Sequence, residues 1–355
     1  MSAPNYLFPS LFSTADLKGV ATPNMPLTAD SCESAMRLVM RSWKLKAGAN
    51  IAIPAFVCNS VRRAVCSEHL SPTPFDLKPN SFWTDYNEQA MLDQNIEGIV
   101  LVHLYGYLHP DSPQIEAFAK KHSIPLLHDL AQCHGVDESM LDASLPRVYS
   151  FSQGKPTTGA FGGLIKNLDA DFYNSNIKRE LNPTLRKMAV TQFMKSRIYG
   201  YTRTVWDNFT LRFLRLASVV RRRGLLTSIT DFQKKAAGEA IRLQAANLNE
   251  RKKRYQKLVE AAESTGKLKT AIHDANGLFF KAVFFATGDA TALRKYLKDN
   301  EIPHFVLADD LKPELKDATR FPNYAQQAHT IIELPCEASI PLDEIQRLEV
   351  ILRSA

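Results

Sequence analysis

The chain has 355 residues, 45% of them apolar and 23% charged, a globular composition long enough for a large core and two domains. No run of 18 apolar residues appears, Met1 to Ser10 lacks a basic stretch followed by an apolar one, and five scattered cysteines form no C-x-x-C pair; a membrane span, a secretory signal and a cysteine zinc site are therefore not expected, and reduced thiols in the cytoplasm are. The net charge of +7 is local: Arg186 to Arg223 carries ten Lys/Arg against one acid, Asp207, more than the whole excess, which speaks against a nucleic-acid-binding body, since no recognition module accompanies the charge.

In chain order, Ser31 to Trp43 has the 3.6-residue apolar period of a helix, closed by a turn at Gly48. Ile51 to Ala55 is a short apolar strand, Asn59 is placed to cap a helix running to Glu68, and Pro72 to Leu77 is a strand. Gly98 to Tyr105 is continuously apolar, as in a strand buried on both faces. A helix over Pro113 to His122 precedes a strand from Pro125 to Asp129, then strands at Arg147 to Ser152 and Gly162 to Lys166. This alternation predicts an α/β fold with a mostly parallel sheet and helices on both faces. Asp171 to Arg223 is mostly helical, with an apolar stripe from Val205 through Phe209, Phe213 and Leu216 to Val220. Asp231 to Glu263 reads as one long helix. Leu278 to Ala286 is a strand, Thr291 to Asn300 a helix, Ile302 to Val306 a strand and Leu342 to Arg353 a closing helix. The pattern divides the chain into a large domain, 1–230, and a smaller α+β domain, 231–355.

The chemistry concentrates at two strand ends. His128-Asp129-Leu130-Ala131-Gln132 closes one apolar run; Ser150-Phe151-Ser152-Gln153-Gly154-Lys155 follows another, ahead of Gly159 and Gly162-Gly163. In open α/β sheets the ligand lies outside the carboxyl ends of the strands, so these segments can converge on one site. A lysine on a loop after a strand can form a Schiff base with an aldehyde cofactor, and an aspartate closing a neighbouring strand can keep a pyridine nitrogen protonated. That is the requirement of a pyridoxal 5'-phosphate (PLP) enzyme.

These segments resemble the DegT/DnrJ/EryC1/StrS family of PLP-dependent sugar aminotransferases, which have the type I aminotransferase fold. The likeness runs through Ala47 to Phe56, Val102-His103-Leu104-Tyr105-Gly106, Asp129 to Gly135, Ser150 to Lys155, Gly162-Gly163 and Glu333-Leu334-Pro335. It implies that Lys155 carries the cofactor and shuttles the proton, that Asp129 pairs with the ring nitrogen, and that Gln132 contacts the phenolic oxygen. Ser150 would hold the phosphate, together with the N-terminus of the helix starting near Ser31, where Ser34 is the best hydroxyl. The aromatic that stacks on the ring in the family aligns with Cys58, putting Cys58 at the cofactor face. His103 and His134 read more simply as hydrogen-bonded core histidines, and Tyr105 as packing.

The chain departs from the family pattern at Cys32-Glu33, where an acid near a phosphate is unfavourable unless it points away, at Ala160-Phe161, and in lacking an Asn-Tyr-Arg segment that crosses the dimer. The basic segment 186–223 fits a solvated helix face, a substrate-diphosphate pocket, or weak contact with an anionic membrane. The resemblance implies a homodimer that moves an amino group from glutamate or glutamine to a nucleotide-linked keto-sugar. A PLP enzyme of another reaction type or substrate, and a non-catalytic binding protein on the same fold, stay open.

Overall fold

In a computed structural model of the chain, the residues described are 19–25, 27–152, 155–157, 161–178, 226–272, 276–288, 290–299, 319–336 and 342–354. The basic segment 186–223 and the strand expected at Ile302 to Val306 lie outside them.

Two sheets are present among the described residues. The larger has seven strands: β1 (Thr28–Ala29), β2 (Asn50–Pro54), β3 (Ser71–Phe75), β4 (Ile96–Val102), β5 (Leu126–Asp129), β6 (Arg147–Ser150) and β7 (Gly163–Lys166), in the spatial order β1-β7-β6-β5-β4-β2-β3. The β3-β2-β4-β5-β6 stretch is parallel, and β7 and β1 are antiparallel additions at one edge. Successive β4 side chains enter different cores, as a strand's two-residue period requires. Val100 and Val102 pack with Leu38 and Val39 of α1 (Cys32–Ser42) and with α2 (Asn59–Ser67). Ile99 and Leu101 pack with Ile115 and Phe118 of α4 (Ser112–Lys121), on the face that also carries Met91 of α3 (Glu88–Asp93). Helices on both faces of a mostly parallel sheet are the expected α/β architecture.

The smaller sheet is antiparallel, β10-β9-β8, from β8 (Leu268–Thr270), β9 (Lys281–Ala286) and β10 (Ile331–Pro335). Helix α7 (Leu248–Glu263) and the closing helix α10 (Leu342–Ser354) cover it, burying Leu258 and Ala262 against Phe284, Leu334, Leu348 and Leu352. Helices α5 (Ala170–Asn176), α6 (Asp231–Ala246), α8 (Thr291–Asp299) and α9 (Pro322–Ala328) complete the described elements.

Several boundaries differ from the expectations, each for a local reason. The helix expected over Asp231 to Glu263 is two helices, α6 and α7, broken at Asn247, whose φ of −95° and ψ of 1° are not helical. Asn competes for backbone groups and favours helix ends. At its start, α6 has a full capping box between Thr230 and Gln233. Cys58, not Asn59, occupies the cap position of α2 and makes no side-chain cap bond. β4 stops at Val102, because Tyr105 takes a left-handed φ of 59° and the chain turns back through a Leu104–Tyr107 bridge. β9 begins at Lys281 rather than Leu278, after Phe279 at φ 48°.

The two sheets are locked together. Asp76, just past β3, accepts the Asn323 and Tyr324 amides at 3.0 and 2.9 Å, capping α9 from across the molecule. The Leu278 amide donates to Gly106 O at 3.0 Å. Gly277 lies against the Tyr107 ring, where a Cβ would fall 1.9 Å from Cε1. Among the described residues no helix is long and apolar enough to cross a membrane, and no group of His, Cys, Asp and Glu is placed to hold a metal ion.

Candidate active site

Asp129 ends β5 and is 4% exposed. Its Oδ1 accepts the Ala131 amide at 2.9 Å, and the Cys32 thiol lies 4.0 Å away. Burial pushes the carboxyl above its ordinary range; the Ala131 bond and the charge of Lys155 pull it back. A buried acid in this condition is stabilised by a cation brought against it. His128, one residue earlier, faces the opposite side of the sheet. Its Nε2 meets Glu116 Oε1 at 3.2 Å and its Nδ1 meets His103 Nε2 at 3.0 Å. His103 Nδ1 accepts the His109 amide, so its proton sits on Nε2 and points at His128. His103 is thus a core histidine, held neutral by burial.

Ser150 ends the neighbouring strand β6. It is buried, and its Oγ accepts the Ser152 amide at 3.3 Å. Lys155 follows on the same connection and is half-buried. Its charge acts on both Asp129 and Cys32, which places it at their end of the sheet. Thr157, fully buried, has its hydroxyl 3.2 Å from His134 Nδ1 and 3.5 Å from Ser150 O, fastening this connection to the segment after β5. His134 packs edge-on against Tyr149 and Phe151, and burial lowers its pKa to about 4. It too is a core histidine.

The N-terminus of α1 meets the same strand ends. Ser31 caps it, its Oγ accepting the Ser34 amide at 3.1 Å. The Cys32 and Glu33 amides, at the first two helical positions, have no carbonyl four residues back to bond. Gly163 permits the close approach: a Cβ there would meet Ser31 O at 2.9 Å and the Cys32 backbone at 3.0 Å. Glu33 turns outward to Arg63 at 2.8 Å, which removes the expected conflict with an anion. Ser34 donates its hydroxyl to Asp30 Oδ1 at 2.5 Å, and Asp30 Oδ2 accepts from Thr227 at 3.4 Å. Ser34 reaches an anion only by giving up Asp30.

Gln132 is buried, and its Oε1 accepts the Tyr105 amide at 2.9 Å. Only the oxygen end can accept, so the amide is oriented with its NH2 end available to donate. Cys58 is half-buried at the start of α2 and accepts the Ser60 hydroxyl at 3.3 Å. Lys155, Asp129, Ser150, Gln132 and the start of α1 thus gather at one end of the large sheet. Cys32, Asp30 and Thr157 join or support the group through contacts with Asp129, Ser34 and Ser150, which their places in the sequence do not reveal. A cavity of about 460 Å³ lies elsewhere, at the junction with the small sheet, lined by Trp83, Tyr107, Asp137, Met140 and Asn276, and by none of the residues just gathered.

The assembled groups fit PLP: a buried carboxylate for the ring nitrogen, helix-start amides and a serine for a phosphate, a side-chain amide donor, and a lysine beside the carboxylate. The L-glutamine:2-deoxy-scyllo-inosose aminotransferase of Streptomyces lividus is 26% identical over 148 residues, which are 41% of this chain and 35% of that protein. The UDP-N-acetyl-3-dehydro-alpha-D-glucosamine 3-aminotransferase of Acidithiobacillus ferrooxidans is 27% identical over 122 residues, 34% of this chain and 33% of the relative. The matched segments thus span about a third of the length of these curated relatives. A crystal structure of a DegT DnrJ EryC1 StrS aminotransferase from Brucella abortus has the same fold, with a TM-score of 0.69 at 16% identity over 92% of this chain and 85% of that one. The profile of the DegT/DnrJ/EryC1/StrS aminotransferase family matches residues 21–353, and the chain belongs to that family.

Proposed function

We propose that this protein is a PLP-dependent aminotransferase that takes an amino group from glutamate or glutamine and delivers it to a nucleotide-linked keto-sugar, for polysaccharide or amino-sugar biosynthesis. The observation that carries this reading is that buried Asp129 ends one strand and Lys155 follows the next, near enough for the lysine charge to act on the carboxyl, with the start of α1 at the same end of the sheet. PLP, when bound, supplies an electron sink for the carbon that loses its proton. Asp129 keeps the ring nitrogen protonated, its burial making the carboxylate a stronger partner for that cation. The Lys155 amine holds the cofactor and then moves the proton. Ser150 and the free amides of α1 bind the phosphate. The Gln132 NH2 group donates to the phenolic oxygen, and Cys58 borders the ring face.

Both curated relatives transfer amino groups to ketones by name; one acceptor is a UDP-sugar and the other a cyclic polyol ketone. The basic segment 186–223 suits the diphosphate of a nucleotide sugar, for which arginine is the better cation. We place the large domain at 1–230 and the small one at 231–355, and propose a homodimer. Mixing the PLP-loaded protein with glutamate, and separately with glutamine, tests the reaction class. One of them is expected to bleach the visible band, and a UDP-linked keto-sugar to restore it. A band indifferent to both donors contradicts aminotransfer from glutamate or glutamine and leaves a PLP enzyme of another reaction type or substrate, or the non-catalytic reading. Restoration by an unlinked cyclic ketone but not by the UDP-sugar contradicts the nucleotide part.

A further inference from the structure

We propose that Glu333, from the small sheet, is a positioning residue for the cofactor-facing amide of Gln132, acting through Tyr105. Glu333 lies on β10 and is 1% exposed. Its Oε1 accepts the Tyr105 hydroxyl at 2.8 Å, and its Oε2 meets Lys281 Nζ, from β9, at 2.6 Å. A buried carboxylate so placed is compensated on both oxygens, by a phenol from the large sheet and a cation from its own.

Tyr105 is an unusual residue to find at a φ of 59°. The left-handed region disfavours a bulky side chain, and it persists where the surroundings over-determine it. The surroundings are visible: the ring is fully buried, makes an edge contact with Phe82 at 5.0 Å, and has Lys281 5.8 Å from its centroid. The hydroxyl is fixed by Glu333. With the residue held in this conformation, its amide points at Gln132 Oε1. That bond decides which end of the Gln132 amide is spent internally and which end can donate to a ligand. The neighbouring residue, Gly106, accepts the amide of Leu278, from the segment leading into β9, at 3.0 Å, so the turn is anchored twice from the same side.

The consequence is that the small sheet tunes the site from a distance, through one carboxylate and one turn. This rests on the cofactor reading above. The test is an absorbance titration of PLP into the purified full-length protein, Tyr105→Phe, Glu333→Gln and the charge-neutral Glu333→Gln/Lys281→Met, with urea unfolding of each without PLP. Losing a buried hydrogen bond on this path is expected to weaken PLP binding roughly two- to tenfold. The balance between the two absorbance bands of bound PLP is also expected to shift, as the donor to the phenolic oxygen loses its fixed orientation. Gln132→Ala is expected to cause the same band shift, and adding Tyr105→Phe to it to cause little more. The double variant keeps the fold testable if Glu333→Gln alone destabilises it through an uncompensated Lys281. Variants that unfold earlier but, when folded, bind PLP with wild-type affinity and band balance would overturn the proposal and leave Glu333 purely structural. A wild type that takes up no PLP sinks the cofactor reading itself, and this inference with it.

Discussion

At Asp129, function and stability pull in opposite directions. Its folded pKa is raised by burial, so between the unfolded and the folded pKa the folded state holds a proton that the unfolded state has released. Stability therefore falls as pH rises through that window and stays lower above it. Asp129→Asn is expected to raise the urea midpoint of the PLP-free protein at neutral pH while reducing amino transfer. A lower midpoint would show that the carboxylate is not strained by burial. His109 and His134 carry the opposite linkage. Burial lowers each from 6.5 to about 4, so the unfolded chain takes up protons that the folded protein refuses. Their stability contribution is present above about 6.5 and is lost as pH falls toward 4. Urea midpoints at intervals from pH 7 to 4 are expected to decline, with a shallower decline in His134→Gln; identical slopes would show that His134 titrates normally. Of the site residues, Asp129, Ser150 and Lys155 were legible in the sequence because each closes or follows an apolar run, and strand ends are where such sheets bind ligands. Cys32 and Glu333 were not, since their importance comes from contacts made across 97 and 228 residues of chain, by Cys32 to Asp129 and by Glu333 to Tyr105.

Elements were legible where one period dominates and vague where tertiary contact sets the boundary. The apolar stripe of α1 and the continuous run of β4 appear within a few residues of their expected places. The two-residue β1 and three-residue β8 are too short to carry a period, and they exist because β7 and β9 offer edges to pair with. The break at Asn247 was hidden because the helical pattern continues on both sides of it. The close seating of α1 on β7 is the element-scale feature the site depends on most. Gly163→Ala would push a methyl against the Ser31 and Cys32 backbone, which cannot yield as a flexible side chain can. A destabilisation of about 1–3 kcal/mol is expected from such overpacking. Weaker PLP binding should accompany it, because the α1 amides move. Unchanged stability and affinity together would mean that α1 can shift freely. At the start of α6, Thr230→Ala is expected to cost about 1 kcal/mol in urea unfolding, through loss of the capping box.

In the molecule as a whole, the two sheets share a buried core, in which Val283 and Ile331 pack with residues of the large sheet, and polar contacts join them as well. Asp76 caps α9, Tyr105 meets Glu333, and Gly277 lies under Tyr107. Asp76→Ala leaves two α9 amides without their carboxylate and is expected to cost about 1.5–3 kcal/mol. If the small sheet then loosens alone, hydrogen exchange in β9 and β10 should quicken more than in β4 and β5; uniform exchange would mean that the two sheets unfold as one unit. The claim on which all else rests is that Lys155 and Asp129 form a PLP site, and the absorbance spectrum of the purified protein with added PLP tests it most directly. The wild type is expected to show a visible band that persists through gel filtration, and Lys155→Ala to show none. A wild type that stays colourless, or a Lys155→Ala variant that keeps the band, would contradict the account.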